Sequence, residues 1–217
     1  MPQSNSKIML IIYLCTIITA FFSGVLLSKH KNTNKDVQYI EGLLWPNPPT
    51  IEPFQLKDHH GKDFTLNNLR DRWSLVFFGF ANCPDICPTA LQAMTKAVKK
   101  IKEKKKSPLL IQTIFISVDP ERDTLPNLAK YASYFSANLI AATGSPDQLK
   151  AMAKSFNTIF MKINEIGEDY SIEHSSGVFF VSPTGHMASV LTPPHNTLKI
   201  VERFENIFTF YNELSDE

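Results

Sequence analysis

The most reactive groups in the chain are two thiols four positions apart, Cys83 and Cys87, in the stretch Phe77-Phe78-Gly79-Phe80-Ala81-Asn82-Cys83-Pro84-Asp85-Ile86-Cys87-Pro88. Such a pair can close into a disulfide, hold a soft metal ion or pack as small apolar side chains, and the spacing alone does not choose. Pro88 disfavours helical geometry at the residue before it and suits the first position of a helix. That sets Cys87 at a helix N-cap, with Cys83 in the loop ahead of it. Free backbone amides and the positive end of the helix dipole then favour thiolate, the form that attacks disulfides and binds metals.

Flanking patterns indicate what holds this loop. Leu75 to Phe80 is a continuous apolar run of strand length, as in a strand buried on both faces. After the cysteines, Ala90, Leu91, Met94, Ala97, Val98 and Ile101 form a helical stripe between Pro88 and about Lys105. Leu109 to Val118 is a second buried strand. It runs into Ser117-Val118-Asp119-Pro120-Glu121-Arg122-Asp123-Thr124, where Thr124 caps a helix reaching about Phe135. A short strand, Leu139 to Thr143, precedes a helix opened by Ser145, Pro146 and Gln148 and ending near Phe156. Thr158 to Ile163 alternates as a strand, and Asn164 to Ser176 reads as a polar loop. Strands at Gly177 to Val181 and Met187 to Leu191 flank a Ser182-Pro183-Thr184-Gly185 turn, and a closing helix runs from Thr197 to about Leu214. Upstream, Phe54 to Leu66 alternates around Asp58-His59-His60-Gly61, a β-hairpin whose two histidines are read as solvated turn residues. Interleaved strands and helices of this kind predict an α/β class, a thioredoxin-like sandwich with an N-terminal β-hairpin.

In such a sheet, a strand at Val178 running antiparallel to the strand ending at Phe80 would start beside the cysteine loop, within reach of His174. Cys83, Cys87 and His174 would make a soft, compact donor set. It suits Cu(I); Zn(II) would want a fourth ligand, and Cu(II) an added oxygen or nitrogen donor. Asp119 and Asp123 either shape the mouth of this site or cap the following helix, capping being the simpler reading. His186 and His195 are expected on the surface.

The chain has 217 residues, 43% hydrophobic and 20% charged, with 16 Phe, enough for one globular domain plus an appendage. A net charge of +1 argues against a nucleic-acid partner, and the run from Lys96 to Lys106, seven lysines and one Glu, reads as the solvated face of a helix. Residues 8–28 are 21 in a row without a charge, long enough to cross a bilayer as a single transmembrane helix, with no small-x-small cleavage site. The expected layout is therefore a tail at 1–7, an anchor at 8–28, a linker at 29–50 and a domain at 51–217. Cys15, inside the anchor, is read as a lipid-facing or packing residue. Lys29, Lys31 and Lys35 outnumber Lys7 across the segment, which counted literally would leave the domain in the cytoplasm. A disulfide-capable pair fits an oxidising compartment better, and no Arg precedes Arg70, so a bacterial inner-membrane protein facing the periplasm is expected.

The Phe78 to Pro88 stretch, the Ser117 to Thr124 segment, and Asp169-Tyr170 with His174-Ser175 together resemble the Sco/SenC family of membrane-anchored copper chaperones. The likeness covers about residues 50 to 214 and the anchor-plus-tether layout. Glu173 departs from the Asp common in that family before the histidine, leaving the ligands intact. The resemblance implies that Cys83, Cys87 and His174 bind one copper ion, Cu(I) or Cu(II). It also implies partnership with cytochrome c oxidase subunit II, whose dinuclear copper centre is assembled, and with an upstream copper donor protein. A thiol-disulfide oxidoreductase that keeps the oxidase subunit's cysteines reduced would need only the two cysteines. A peroxidase usually has its attacking cysteine alone, which fits this pair poorly.

Overall fold

The structure is a computed structural model describing residues 5–31, 42–104, 110–166 and 169–215. Its elements in chain order are α1 (Asn5–Lys31), β1 (Gln55–Asp58), β2 (Asp63–Thr65), a 3-10 turn at Leu66–Leu69, β3 (Trp73–Gly79), α2 (Ile86–Lys104), β4 (Ile111–Ser117) and α3 (Leu125–Phe135). Then come β5 (Leu139–Thr143), α4 (Pro146–Ser155), β6 (Phe160–Ile166), β7 (Asp169–His174), β8 (Val178–Val181), β9 (Met187–Leu191) and α5 (Thr197–Ser215).

Seven strands form one sheet in the order β2-β1-β5-β4-β3-β8-β9. β3, β4 and β5 are parallel, and β8 runs antiparallel to β3 with Phe77 opposite Val178, the arrangement that sets the start of β8 beside the end of β3. Every residue of β3 is buried, as its unbroken apolar run requires. Alternation splits the core in two. Leu75, Phe77 and Phe115 pack with α2, α3 and α5 on one face, while Val76, Phe78 and Ile116 pack with α4 and the Phe54–Phe64 hairpin residues on the other. This is the expected thioredoxin-like sandwich with its N-terminal hairpin.

Three local features differ from expectation. The helix after the cysteines starts at Ile86, two residues before Pro88, so Cys87 lies inside the first turn. Proline is tolerated there because first-turn amides have no intrahelical acceptor in any case. The stretch expected as a polar loop contains β7, which pairs with β6 in a separate two-stranded ribbon, His174 opposite Phe160. Tyr170, Ile172 and His174 alternate along it, a period-two signal masked by the polar residues between them. Finally, part of the stretch counted with the linker lies along β9: Leu43 and Thr50 bridge Ser189 and His186, and the Leu44 amide donates to the Ala188 carbonyl at 2.9 Å. β9 is an edge strand with backbone groups to spare.

In α1 the described side chains are those of Met9 to Ser23, all exposed, Cys15 among them. Among the described residues no helix is long and apolar enough to cross a membrane. The 8–28 stretch extends past those side chains at both ends, and residues 32–41 of the linker lie outside the described residues.

Candidate metal centre

The end of β3 delivers the chain into the cysteine loop, where the Cys83 amide donates to the Phe80 carbonyl at 3.2 Å. Cys87 follows in the first turn of α2, its amide 3.5 Å from Cys83 Sγ. His174 ends β7, and its Nε2 stands 3.5 Å from Cys87 Sγ. One donor atom from each of Cys83, Cys87 and His174 lies within 4.8 Å of the other two, and among the described residues no other His, Cys, Asp or Glu group is so placed. Cys87 is buried, whereas Cys83 and His174 are half-exposed. Both cysteines are free thiols.

The imidazole is set for ligation. Its Nδ1–H donates to the Ser175 carbonyl at 3.2 Å, and because a carbonyl only accepts, the Nε2 lone pair is left facing the sulfurs. The edges of Phe77 and Phe80 meet the ring, each centroid 6.0 Å away. Burial lowers the His174 pKa below its ordinary value, keeping the ring neutral and able to ligate. At Cys87 the thiolate expected from the helix end is not the resting form. Burial pushes its thiol well above the usual range, because loss of solvation in the core outweighs the helix dipole. A metal ion must displace that proton on entry.

The aspartates hold the frame. Asp123, almost fully buried, accepts from the Ala81 amide at 2.8 Å and from Ser117 Oγ at 2.6 Å, fixing the entrance to the cysteine loop. Capping, the simpler expectation, is not its role: Thr124 occupies the N-cap of α3. Asp119 accepts from Arg122 Nε and from the Tyr170 hydroxyl, both at 2.5 Å, while the Arg122 guanidinium lies 3.7 Å from the Tyr170 ring centroid. The β4–α3 loop is thereby bolted to the ribbon that carries His174. The sequence places these residues in one motif but carries no local signal of that role, because Ala81 and Tyr170, which complete it, come from elsewhere in the chain.

His59 accepts from the Ala141 amide at 3.1 Å, tying the hairpin turn to β5, and His60 is exposed. His186 sits in the β8–β9 turn beside Thr184 Oγ1 at 3.1 Å. His195 is not the surface residue expected. It is half-buried, its ring centroid 6.2 Å from that of Phe77 and its Nε2 2.5 Å from the Ser176 carbonyl.

Burial lowers the pKa of His195 as well as that of His174. Below the ordinary value of about 6.5 the unfolded chain therefore takes up protons that the folded domain refuses, and stability falls as pH falls. Asp123, raised by burial, has the opposite sign from about 3.8 upward. The metal-free protein is expected to lose urea resistance between about pH 7 and 5. Denaturation midpoints should drop across that range, and the slope should flatten in a His174→Gln/His195→Gln double variant, in which Asp123 is unchanged.

A thioredoxin-like sheet that presents two cysteines and a histidine beyond the end of the interior strand β3 defines a class of thioredoxin-like proteins built around a soft-metal donor set. Within that class the chain belongs to the SCO1/SenC family, whose model matches residues 46–209. It is similar to Protein SCO1 homolog 1, mitochondrial, from Arabidopsis thaliana, 42% identical over 131 residues, 60% of this chain and 39% of that one. Much of that relative's length thus has no counterpart here. Among solved structures, it resembles Arabidopsis thaliana ScoI with copper bound, at 36% identity and TM-score 0.65, covering 71% of this chain and 97% of that one. BsSco, described as having a disulfide switch and as a member of the Sco family of cytochrome c oxidase assembly proteins, matches at 26% identity and TM-score 0.60 over 77% of this chain and 98% of that one.

Proposed function

We propose that this chain is a copper chaperone that binds one copper ion through Cys83, Cys87 and His174 and delivers it during assembly of the dinuclear copper centre of cytochrome c oxidase subunit II. The observation that carries the reading is the convergence of two thiol sulfurs and one preset imidazole nitrogen within 4.8 Å. Two thiolates and an imidazole suit Cu(I), which accepts three soft ligands; a fourth oxygen or nitrogen donor would accommodate Cu(II). The copper-bound structure of the Arabidopsis relative supports the choice of metal.

Copper here is cargo, so the site must release it. A cavity of about 430 Å3 opens beside Cys83 and His174, rimmed by the exposed Ile86, Ile159 and Met161. Through it an incoming partner's ligands can replace the chain's own one at a time. On entry, the ion takes the place of the Cys87 proton while Phe77 and Phe80 hold the imidazole on line. Oxidation of the two thiols to a disulfide, with two electrons and two protons leaving to an acceptor disulfide, would remove both sulfur ligands and empty the site.

In this reading residues 1–7 are a tail, 8–28 anchor the chain in a bacterial inner membrane, and the domain from about residue 51 faces the periplasm, supplied by an upstream copper donor protein. The uncharged 21-residue run supports the anchor.

The exposure of Cys83 and burial of Cys87 favour a second reading, a thiol-disulfide reductase of the oxidase subunit, since an accessible sulfur backed by a buried one is the arrangement that exchange chemistry uses. Copper stoichiometry separates the two. The reduced full chain in detergent micelles should hold one Cu(I), and His174→Ala should weaken binding by about 100-fold or more, beyond the usual cost of removing an outer-shell partner. Binding that ignores His174, with the cysteines still cycling as a disulfide, would give the reductase reading the field.

A further inference from the structure

We propose that His195 is a positioning residue for the metal site, holding the His174 backbone through the Ser176 carbonyl. This rests on the reading of His174 as a copper ligand.

His174 is the last residue of the ribbon, and the three residues after it, Ser175, Ser176 and Gly177, must return the chain to the main sheet at Val178. A ligand at the end of a two-stranded ribbon needs anchors beyond its own strand, because a ribbon alone is marginally stable. Two are present. On the ribbon side the Ser175 amide donates to the Ile159 carbonyl at 3.0 Å. On the sheet side the His195 ring reaches the Ser176 carbonyl, Nε2 to O 2.5 Å, and since a carbonyl only accepts, Nε2 carries the proton. The peptide between these anchors includes the Ser175 carbonyl, the group that receives Nδ1–H of His174 and so fixes its tautomer. His195 thus acts two bonds of influence away from the metal: it holds Ser176, the Ser175 carbonyl stays in place, and the imidazole keeps its lone pair on the sulfurs.

Where His195 is mounted matters as much as what it holds. It lies just ahead of α5, whose start is set by Asn196 accepting from the Lys199 amide at 2.9 Å. α5 packs against α2, the helix that bears Cys87, and both contribute to one core cluster. The bond from His195 therefore references the histidine ligand to the same helical pair as the cysteine ligand. Phe77 reinforces the register, presenting edge-on contacts to both imidazoles, 6.0 Å to His174 and 6.2 Å to His195 with interplanar angles of 87°. The other ring nitrogen of His195, Nδ1, is buried and has no hydrogen-bond partner among the described residues. A buried polar atom left unpaired is a standing cost that an ordinary packing residue would not carry, and a phenylalanine would fill the same space without it.

Two substitutions separate the N–H from the ring. His195→Gln keeps a donor at the same reach and loses the ring; His195→Phe keeps the ring and loses the donor. Cu(I) affinity is measured on the reduced full chain in detergent micelles by competition with a chromophoric Cu(I) chelator, alongside the thermal midpoint of the metal-free protein. His195→Phe should weaken Cu(I) binding about 10-fold, the scale of an outer-shell partner, with a metal-free melting point close to the parent's, relief of the unpaired Nδ1 offsetting the lost bond to the Ser176 carbonyl. His195→Gln should bind within about 3-fold of the parent, less than the outer-shell cost. In a His174→Ala background His195→Phe should change affinity no further, because its effect passes through the ligand. The proposal is overturned if the Phe variant binds as the parent, if Gln fails where Phe succeeds, or if the loss persists undiminished without His174. Should His174→Ala itself bind copper like the parent, the copper-ligand reading fails first and takes this one with it.

Discussion

Gly79→Ala is expected to destroy the metal site at modest cost to the fold. Gly79 is the last residue of β3, and a Cβ built there would stand 2.7 Å from Cys87 Sγ, 3.0 Å from Phe115 Cε2 and 3.2 Å from Phe77 Cε1. The sulfur contact is inside any real van der Waals separation, so something must move. The Phe rings are locked in the core, both fully buried. Cys87 has a single rotatable bond, and turning it carries Sγ away from Cys83 and His174. An off-rotamer or repacked arrangement costs about 1–3 kcal/mol of stability. The consequence for copper is larger, since one of three ligands leaves the common point: Cu(I) affinity should fall by about 100-fold or more, beyond the outer-shell scale. Chelator competition together with chemical denaturation checks both halves. Near-parental copper affinity would show that the strand, rather than the sulfur, gives way.

Phe77→Ala should produce the largest loss of stability of any single truncation at the site. Its ring is fully buried beneath both imidazoles and packs in the cluster shared by α2, α3 and α5. Phe-to-Ala changes in cores cost about 3–5 kcal/mol, through lost transfer energy and the cavity left behind. Against a typical total of about 5–15 kcal/mol this is about a fifth of the margin or more. For a domain of this size the melting point should drop by roughly 6–20 °C, at about 2–4 °C per kcal/mol. Copper affinity should fall too, because both His174 and its brace lose the surface they rest on. A loss of less than about 1 kcal/mol in calorimetry would mean that the neighbours collapse into the space, against the close packing seen here.

How much of this was readable in advance follows from the range of the forces involved. The apolar run through Phe77 and Phe78 is a strand buried on both faces because no polar residue interrupts it, and that pattern is local. The helix after the cysteines is equally local, a stripe from Ala90 to Ile101, although its start at Ile86 is not fixed by Pro88, which is compatible with several first-turn positions. The antiparallel placement of β8 against β3 enters the sequence reading only as a condition, because it pairs segments far apart along the chain that no local pattern joins. β7 was hidden since its inward residues, Tyr170, Ile172 and His174, include only one plain aliphatic.

What the sequence by itself determined is the set of chemically able residues and the element that ends at them: Cys83 and Cys87 beyond a buried strand, at the mouth of a helix, with His174 ahead of the next strand. Local sterics and hydrophobic periodicity act over a few residues, so they are written in the residue order. Only the tertiary structure decided the protonation of Cys87, the buried bonds of Asp123 and Asp119, and the contact of His195 with the Ser176 carbonyl. Each depends on which distant segment removes water from a group and which supplies its hydrogen-bond partner. Desolvation and pairing are properties of the packed neighbourhood, and His174 beside Cys87, Ala81 beside Asp123 and His195 beside Ser176 come from other segments of the chain.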